Sequence, residues 1–464
     1  MARLVIVSNR VSMPRERLSR AGGLAVALRE ALAGQKDGGL WFGWSGDTAA
    51  DPQPAPRRAS LGKIDFAVLD LSPAEHKGFY NDFANSTLWP LFHYRLGLID
   101  FHRAAWESYL AVNERFAEQL ALLLRPDDVI WVHDYHFIPL AAALRRRGVQ
   151  NRIGFFLHIP FPAHEVLAAL PAHRQLVADL CAYDLVGFQT WNDVRALTEY
   201  VLHEIGGRVE RPAAGMGPIR ITAFEHQFDL AAFPISIDAE DFARIAAQEA
   251  DAADTVRLRD SLGNRSLVIG VDRLDYSKGI PKRFEAFQIL LGARPEHRGH
   301  VTFLQVAPIS RGEVSQYRQL RNELDGLAGH INGRYAEFDW MPVRYLNKSF
   351  TRNQLAGFYR VARVGLVTPL RDGMNLVAKE YVAAQDADDP GVLVLSRFAG
   401  AAAEMSGAVI VNPYDTEGLA EGLDRALTMP LEERRQRWQA NMAVLRANTI
   451  THWRERFLAT LVAA

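Results

Sequence analysis

Apolar runs of strand length alternate with amphipathic helical stretches along almost the whole chain, and the series starts twice. In the first half the clearest runs are RLVIVSN, DVIWVHD, RIGFFLHI and DLVGFQT. Helical patterns such as GGLAVALREAL, FIPLAAALRRRG and WNDVRALTEYVLHEIG follow several of them. The second half restarts with SLVIGVDR and continues through VTFLQVAP, VGLVTPL, GVLVLSR and GAVIVNP, each with a helical stretch behind it. Strands apolar on both faces need cover on both sides, which predicts an α/β chain with parallel sheets. At 464 residues the chain exceeds what one core can hold. Two Rossmann-like, doubly wound domains are therefore expected, at 1–236 and 237–446. A last helix within 447–464 carries an apolar stripe (Ile450, Trp453, Phe457, Leu461) suited to packing back on the first domain. Residues 206–229, rich in Gly, Pro and Arg, receive no assignment.

A formal net charge of −1 gives no bulk attraction to nucleic acid or to an anionic membrane. No apolar run reaches the roughly 18 residues of a membrane span, and MARLVIVSNR is too short in its apolar part for a signal peptide. A cytoplasmic setting is expected. The single cysteine, Cys181, excludes an intrachain disulfide and reads as a buried structural thiol. The histidines show no HExxH spacing, and His133 and His136 in WVHDYHF sit as strand-end residues, so no metal is expected.

Open α/β sheets take ligands beyond the carboxyl ends of their strands. The conspicuous polar residues fall there: Asn9-Arg10, His133-Asp134, His158, Arg273 with Lys278, and Asp372-Gly373. Two tandem units are expected to bring these ends face to face across a cleft. In RDGMNLVAKE, Gly373 permits close approach, and the N–H groups of Met374, Asn375 and Leu376 at a helix start suit a diphosphate. Asp372 suits sugar hydroxyls and Glu380, two turns on, a ribose diol. Equally, Asp372 reads as an N-cap and Lys379-Glu380 as a solvated face. In VDRLDYSKGIPKRF, Arg273 and Lys278 suit a departing diphosphate, or Arg273 simply pairs with Asp272 or Asp275. Gly22-Gly23 opens a helix without the GxGxxG fingerprint and is either a plain turn or a close-approach site. Arg10, Tyr80, Trp89 and Arg311 suit a phosphate monoester, with Trp41, Trp44 and Trp89 as sugar platforms or core. Lysine occurs at only seven positions, three of which, Lys278, Lys282 and Lys379, fall inside these stretches. Either chance places Lys278 and Lys379 there, or a compact ammonium is wanted at those two positions, since arginine is this chain's general-purpose cation.

Taken in order, VSNR…AGGLAVAL, GLWFGWSGD, LWPLFHYR, IWVHDYH, NRIGFFLHIPFP, DRLDYSKG, LVTPLRDGMNLVAKEYVAAQ and VLVLSRFAGAA resemble the trehalose-6-phosphate synthases, retaining glycosyltransferases of the GT-B fold. The resemblance implies transfer of glucose from UDP-glucose to glucose 6-phosphate, with no cofactor and no metal. It implies an acceptor-binding first domain and a nucleotide-sugar-binding second domain. Arg10, Tyr80, Trp89 and Arg311 then hold the acceptor phosphate, and Asp134 the acceptor sugar. Gly22, Gly23, Arg273, Lys278, Gly373, Met374, Asn375 and the run Leu376, Val377, Ala378, Lys379, Glu380 hold the donor, with Phe350 beside the base. His158 and Asp372 meet the transferred glucose. The catalytic set is Arg273, Lys278, Asp372, His158 and Asp134, and no carboxylate is placed as a nucleophile. The family also implies a homo-oligomer (dimer or tetramer), a separate phosphatase downstream and a use in osmotic protection. Glucosylglycerol-phosphate synthase, acting on glycerol 3-phosphate, and a catalytically inactive binding protein of the same fold are the competing readings. Tyr80, Trp89 and Asp134 together favour a sugar acceptor over glycerol. Intact Arg273, Lys278, Asp372 and Glu380 argue for an active enzyme.

Overall fold

The computed structural model describes residues 3–11, 13, 28, 32, 38–210, 217–309 and 315–464. The chain divides into two compact units, Met1–Pro234 with Thr451–Ala464, and Ile235–Ile450.

The first unit is built on a ten-stranded sheet. In spatial order the strands are Arg57–Leu61, Ile64–Leu71, Gly39–Thr48, Leu4–Arg10, Val129–His133, Arg152–Phe156, Leu185–Phe188, His226–Ala232, Ile219–Ala223 and Arg208–Glu210. From Ile64–Leu71 to His226–Ala232 every neighbouring pair is parallel. The central strands are continuous apolar runs for the expected reason: Val5, Ile6, Val7, Ile153 and Phe155 are completely buried. The described parts of 206–229 find their place at one edge. Ile219–Ala223 and Arg208–Glu210 add antiparallel strands there, with polar and apolar residues alternating as a sheet solvated on one face requires.

The chain order along the parallel part reverses between Leu4–Arg10 and Val129–His133. That topological switch point is where loops on either side diverge and leave room for a ligand. It carries Asn9-Arg10 and Asp134.

The last helix, Ile450–Ala463, belongs to this unit's sheet. Trp453, Phe457 and Leu461 are buried, whereas Ile450 is only half-buried. Phe457 stacks on Trp131 at 4.7 Å. It lies over Gly154 and Gly187, where a Cβ would come within 2.9 and 2.7 Å of its ring. The glycines in RIGFF and LVGF therefore make the seat for this helix.

The second unit has a six-stranded sheet, wholly parallel. Its spatial order is Val343–Leu346, Val301–Val306, Ser266–Val271, Val364–Val367, Val392–Ser396, Val409–Val411, the Rossmann order 3-2-1-4-5-6. Here the switch point lies between Ser266–Val271 and Val364–Val367, whose ends lead into Arg273–Lys278 and Asp372–Asn375.

Candidate active site

In the second unit the chain leaves Ser266–Val271 and makes a short 3₁₀ turn, Tyr276–Lys278. Asp275 caps that turn, accepting from Ser277 N at 2.9 Å. Gly279 adopts φ +66° before the helix Ile280–Ala293, and a Cβ there would lie 2.6 Å from Thr368 O, so this position needs glycine. Arg283, fully buried on that helix, holds the corner together. It donates to Asp272 Oδ2 at 2.5 Å, Thr368 Oγ1 at 3.0 Å, and Lys278 O at 3.0 Å. Asp272 is thus held by Arg283 and not by Arg273, which stands exposed past the strand end. Arg283 was missed from the sequence, because a buried arginine inside a helix gives no signal there.

The bracket places the ammonium of Lys278 2.5 Å from Asp372 Oδ2. Asp372 also accepts from Asn375 Nδ2 at 3.0 Å, and its Oδ1 from Gly373 N at 3.0 Å. Asp372 is therefore not the N-cap. The helix is Leu376–Ala384, and Asn375, at φ 75°, caps it by accepting from Ala378 N at 3.4 Å. A non-glycine residue held in the left-handed region is strained, and such strain concentrates at functional sites. The unpaired N–H groups of the first turn are those of Leu376 and Val377, both partly exposed. Gly400 supports the loop from behind, where a Cβ would come 1.9 Å from Gly373 O, and Ala401 N donates to Met374 O at 2.9 Å. The small-residue run AGAA after a strand is the sequence signal for that support.

Glu380 is partly buried on the same helix, and desolvation pushes its carboxyl up to about 7 against the opposing pull of Arg352. Lys379 corrects both sequence readings. It is neither a solvated face nor a donor contact through its ammonium. It is completely buried and donates to Ile235 O at 2.8 Å and Glu404 Oε2 at 2.7 Å. Phe350 stands apart from the Lys278–Asp372 cluster. It follows the edge strand Val343–Leu346 and lines an apolar cavity of about 490 Å³ with Leu304, Leu346 and Phe358.

In the first unit, Arg10 ends its strand exposed, with its guanidinium lying against Gly46. A Cβ at Gly46 would meet Arg10 Nε at 2.7 Å. Next to it Trp44 packs on Tyr80 at 5.4 Å, and Tyr80 stacks on His136 at 5.8 Å. Tyr80 sits on a π-helix, His76–Leu88, a rare form associated with functional sites and invisible to periodicity arguments. Trp89 and Trp41 are buried, at 4% and 1% exposure. Trp89 packs against His93 and Tyr135.

Asp134, directly after Val129–His133, holds φ 77° and accepts from His158 N at 3.3 Å. His158 is partly exposed, and its Nε2 lies 3.0 Å from His133 Nδ1. Burial lowers His158 to about 3 and takes His133 well below its usual value, so both rings are neutral at pH 7. Cys181 is buried and its thiol is pushed up to about 12 by desolvation, which makes it inert. Gly22, Gly23 and Arg311 lie outside the described residues. Among the described residues no cluster suited to a metal ion occurs, and no helix is long and apolar enough to cross a membrane.

A pair of Rossmann-type units, each with a strained residue and a polar constellation at its switch point, defines the GT-B class of glycosyltransferase. The chain matches glycosyltransferase family 20 over residues 2–463 and belongs to that family. It is 49% identical over 461 residues to a trehalose-6-phosphate synthase of Klebsiella pneumoniae, covering 99% of this chain and 95% of that one. Among solved structures it is similar to an α,α-trehalose-phosphate synthase (UDP-forming) from Burkholderia xenovorans in complex with glucose-6-phosphate. That match has TM-score 0.94 and 50% identity over 99% of this chain and 100% of the other. A structure from E. coli bound with UDP-2-fluoro glucose matches with TM-score 0.93 and 48% identity over 99% of each chain.

Proposed function

We propose that this protein transfers glucose from UDP-glucose to the anomeric hydroxyl of glucose 6-phosphate, with retention, releasing UDP and α,α-trehalose 6-phosphate. The observation that carries this reading is the Lys278–Asp372 pair, fixed at the start of the Asn375-capped helix. A cation, a carboxylate and free helix N–H groups side by side suit a sugar bound to a diphosphate. Arg273 and Lys278 take the diphosphate, Asp372 and His158 the glucose, and Glu380 the ribose. Arg10, Tyr80, Trp89, Asp134 and Arg311 take glucose 6-phosphate.

In the reaction the bond from glucose C1 to the diphosphate oxygen breaks as C1 joins the acceptor oxygen on the same face. The acceptor proton goes to the departing diphosphate. Asp372 is already engaged by Lys278, Asn375 and Gly373, which makes it a poor nucleophile and fits a route without a glycosyl-enzyme. The protein's part is to stabilise the separating negative charge. No metal is required in this scheme. A phosphate-ester hydrolase is the class of enzyme that would release the free disaccharide, and a cytoplasmic homo-oligomer is the form we propose. Offering UDP-, ADP- and GDP-glucose in turn with glucose 6-phosphate, and following nucleoside diphosphate release, tests the donor. Release from UDP-glucose well above the other two is expected; a preference for another base would overturn that part.

Glu380 gives the site a pH dependence. Its folded value of about 7 exceeds the ordinary 4.5. The stability it contributes is therefore full below about pH 4.5 and lost as pH rises through 7. Glu380→Gln should raise the melting temperature at pH 8 and leave it unchanged near pH 4. A ribose diol donates to the carboxylate and so lowers its pKa. UDP binding at pH 7 should then release a fraction of a proton, measurable by calorimetry in two buffers of different ionisation enthalpy. The release should shrink in Glu380→Gln. An unaltered release would remove Glu380 from the ribose.

A further inference from the structure

His133 takes no part in the scheme above, yet it ends a strand at the first unit's switch point and touches His158 directly. It is 1% exposed, with Nδ1 3.0 Å from His158 Nε2 and the rings stacked at 5.3 Å. Trp131 lies 4.5 Å from the His133 ring and Trp453, on the returning helix, 6.5 Å. The same Trp453 lies 6.3 Å from His158, so both imidazoles are walled in by aromatic rings.

Both rings are neutral, so the two facing nitrogens share one proton, and there are two ways to place it. If His158 Nε2–H donates, His133 accepts at Nδ1 and carries its own proton on Nε2. That nitrogen is buried with no hydrogen-bond partner among the described residues, as are the indole Nε1 atoms of Trp131 and Trp453. A third orphaned N–H would join two already there. If His133 Nδ1–H donates, its Nε2 is left as a bare lone pair and no third N–H is orphaned. Orphaned buried donors are the rarer and costlier case, so the second placement wins. His158 then accepts at Nε2 and carries its proton on Nδ1.

We infer that His133 is a positioning residue that fixes His158 as the Nδ1–H tautomer, so that His158 offers the bound sugar a hydrogen-bond donor and not a lone pair. The sugar as partner rests on the function proposed above; the tautomer does not. The ring nitrogen left open on His158 would donate to a hydroxyl oxygen of the transferred glucose. Trp453 would hold the ring plane, which gives the returning helix a part in the site.

Nitrogen-15 NMR of histidine-labelled full-length protein tests this without reference to activity. The His158 resonances are identified by their loss in His158→Gln. A protonated-type Nδ1 and a pyridine-type Nε2 are expected in wild type; the reverse would overturn the inference. Kinetics give a second reading. His133→Asn keeps a short N–H donor and should stay within a few-fold of wild type. His133→Phe should lose roughly 10–100-fold in kcat, as loss of a partner that orients a histidine typically does, with KM for glucose 6-phosphate unchanged. Equal losses in the two variants would contradict a hydrogen-bonding role. Should His133→Phe fail to fold, the wild-type spectrum still decides. Absence of glucosyl transfer with the Nδ1–H tautomer in place would sink the proposed function and leave this inference standing.

Discussion

Lys278→Ala is expected to lower kcat by roughly 10²–10³ with both substrates saturating, the usual loss when a group stabilising transition-state charge is removed. The ammonium is pre-placed. Arg283 holds the Lys278 carbonyl, Asp275 caps the turn beneath it, and Tyr317 donates to Asp275 Oδ2 at 3.2 Å. None of these contacts involves the Lys278 side chain, so the truncation should leave the corner folded. Asp372 keeps its bonds from Gly373 and Asn375. The lost interaction grows as the diphosphate departs, so turnover should suffer more than glucose 6-phosphate binding. Lys278→Arg should not restore activity, because a planar fork replaces a compact charge. A variant with normal kcat and a raised KM for glucose 6-phosphate would place Lys278 on the acceptor instead. Steady-state kinetics at varied concentrations of each substrate make the distinction.

Lys379→Met should destabilise the protein by about 3 kcal/mol, the lower end for removing one partner of a buried pair. The lower end applies because Glu404 keeps some access to water, with 17% side-chain exposure against none for Lys379. The substitution removes the Lys379 donor to Ile235 O and leaves the Glu404 carboxylate without its cation. The second oxygen of Glu404 accepts from Asn448 Nδ2 at 3.0 Å. Ile235 and Asn448 flank the two points where the chain passes between its units, at 234/235 and 450/451. The Lys379 ammonium therefore links the helix of the proposed donor site to Ile235 directly and to Asn448 through Glu404. Thermal melting of the intact protein should show a lowered midpoint, and Glu404→Leu added to Lys379→Met should recover much of it, since both charges are then gone. An unchanged midpoint with UDP binding abolished would return Lys379 to the ligand.

The scarcity of lysine pointed to both positions, but it did not distinguish what each ammonium meets. At Lys278 the ammonium faces the candidate site. At Lys379 it is wanted for a buried three-way junction, and nothing in RDGMNLVAKE distinguishes the two uses. Similar limits explain the rest of what the sequence withheld. Central strands such as LVIV and SLVIGV were legible because burial on both faces makes them continuously apolar. Val343–Leu346, an edge strand with three of its four residues half-buried, was not. Nor was the strand GLWFGWSGDT, whose glycines and tryptophans interrupt the pattern. The polar residues at the switch points could be found because strand ends mark them. Arg283 supports those residues through contacts distant in sequence, and the π-helix under Tyr80 breaks the usual helical period, so only the three-dimensional structure reveals them.

The most direct test of the whole account is product identity when UDP-glucose is offered with glucose 6-phosphate and, separately, with glycerol 3-phosphate. A phosphorylated, non-reducing disaccharide with α,α linkage and one UDP per product, read by NMR and mass spectrometry, is expected from the first mixture alone. Product only from glycerol 3-phosphate, or none from either, would contradict it.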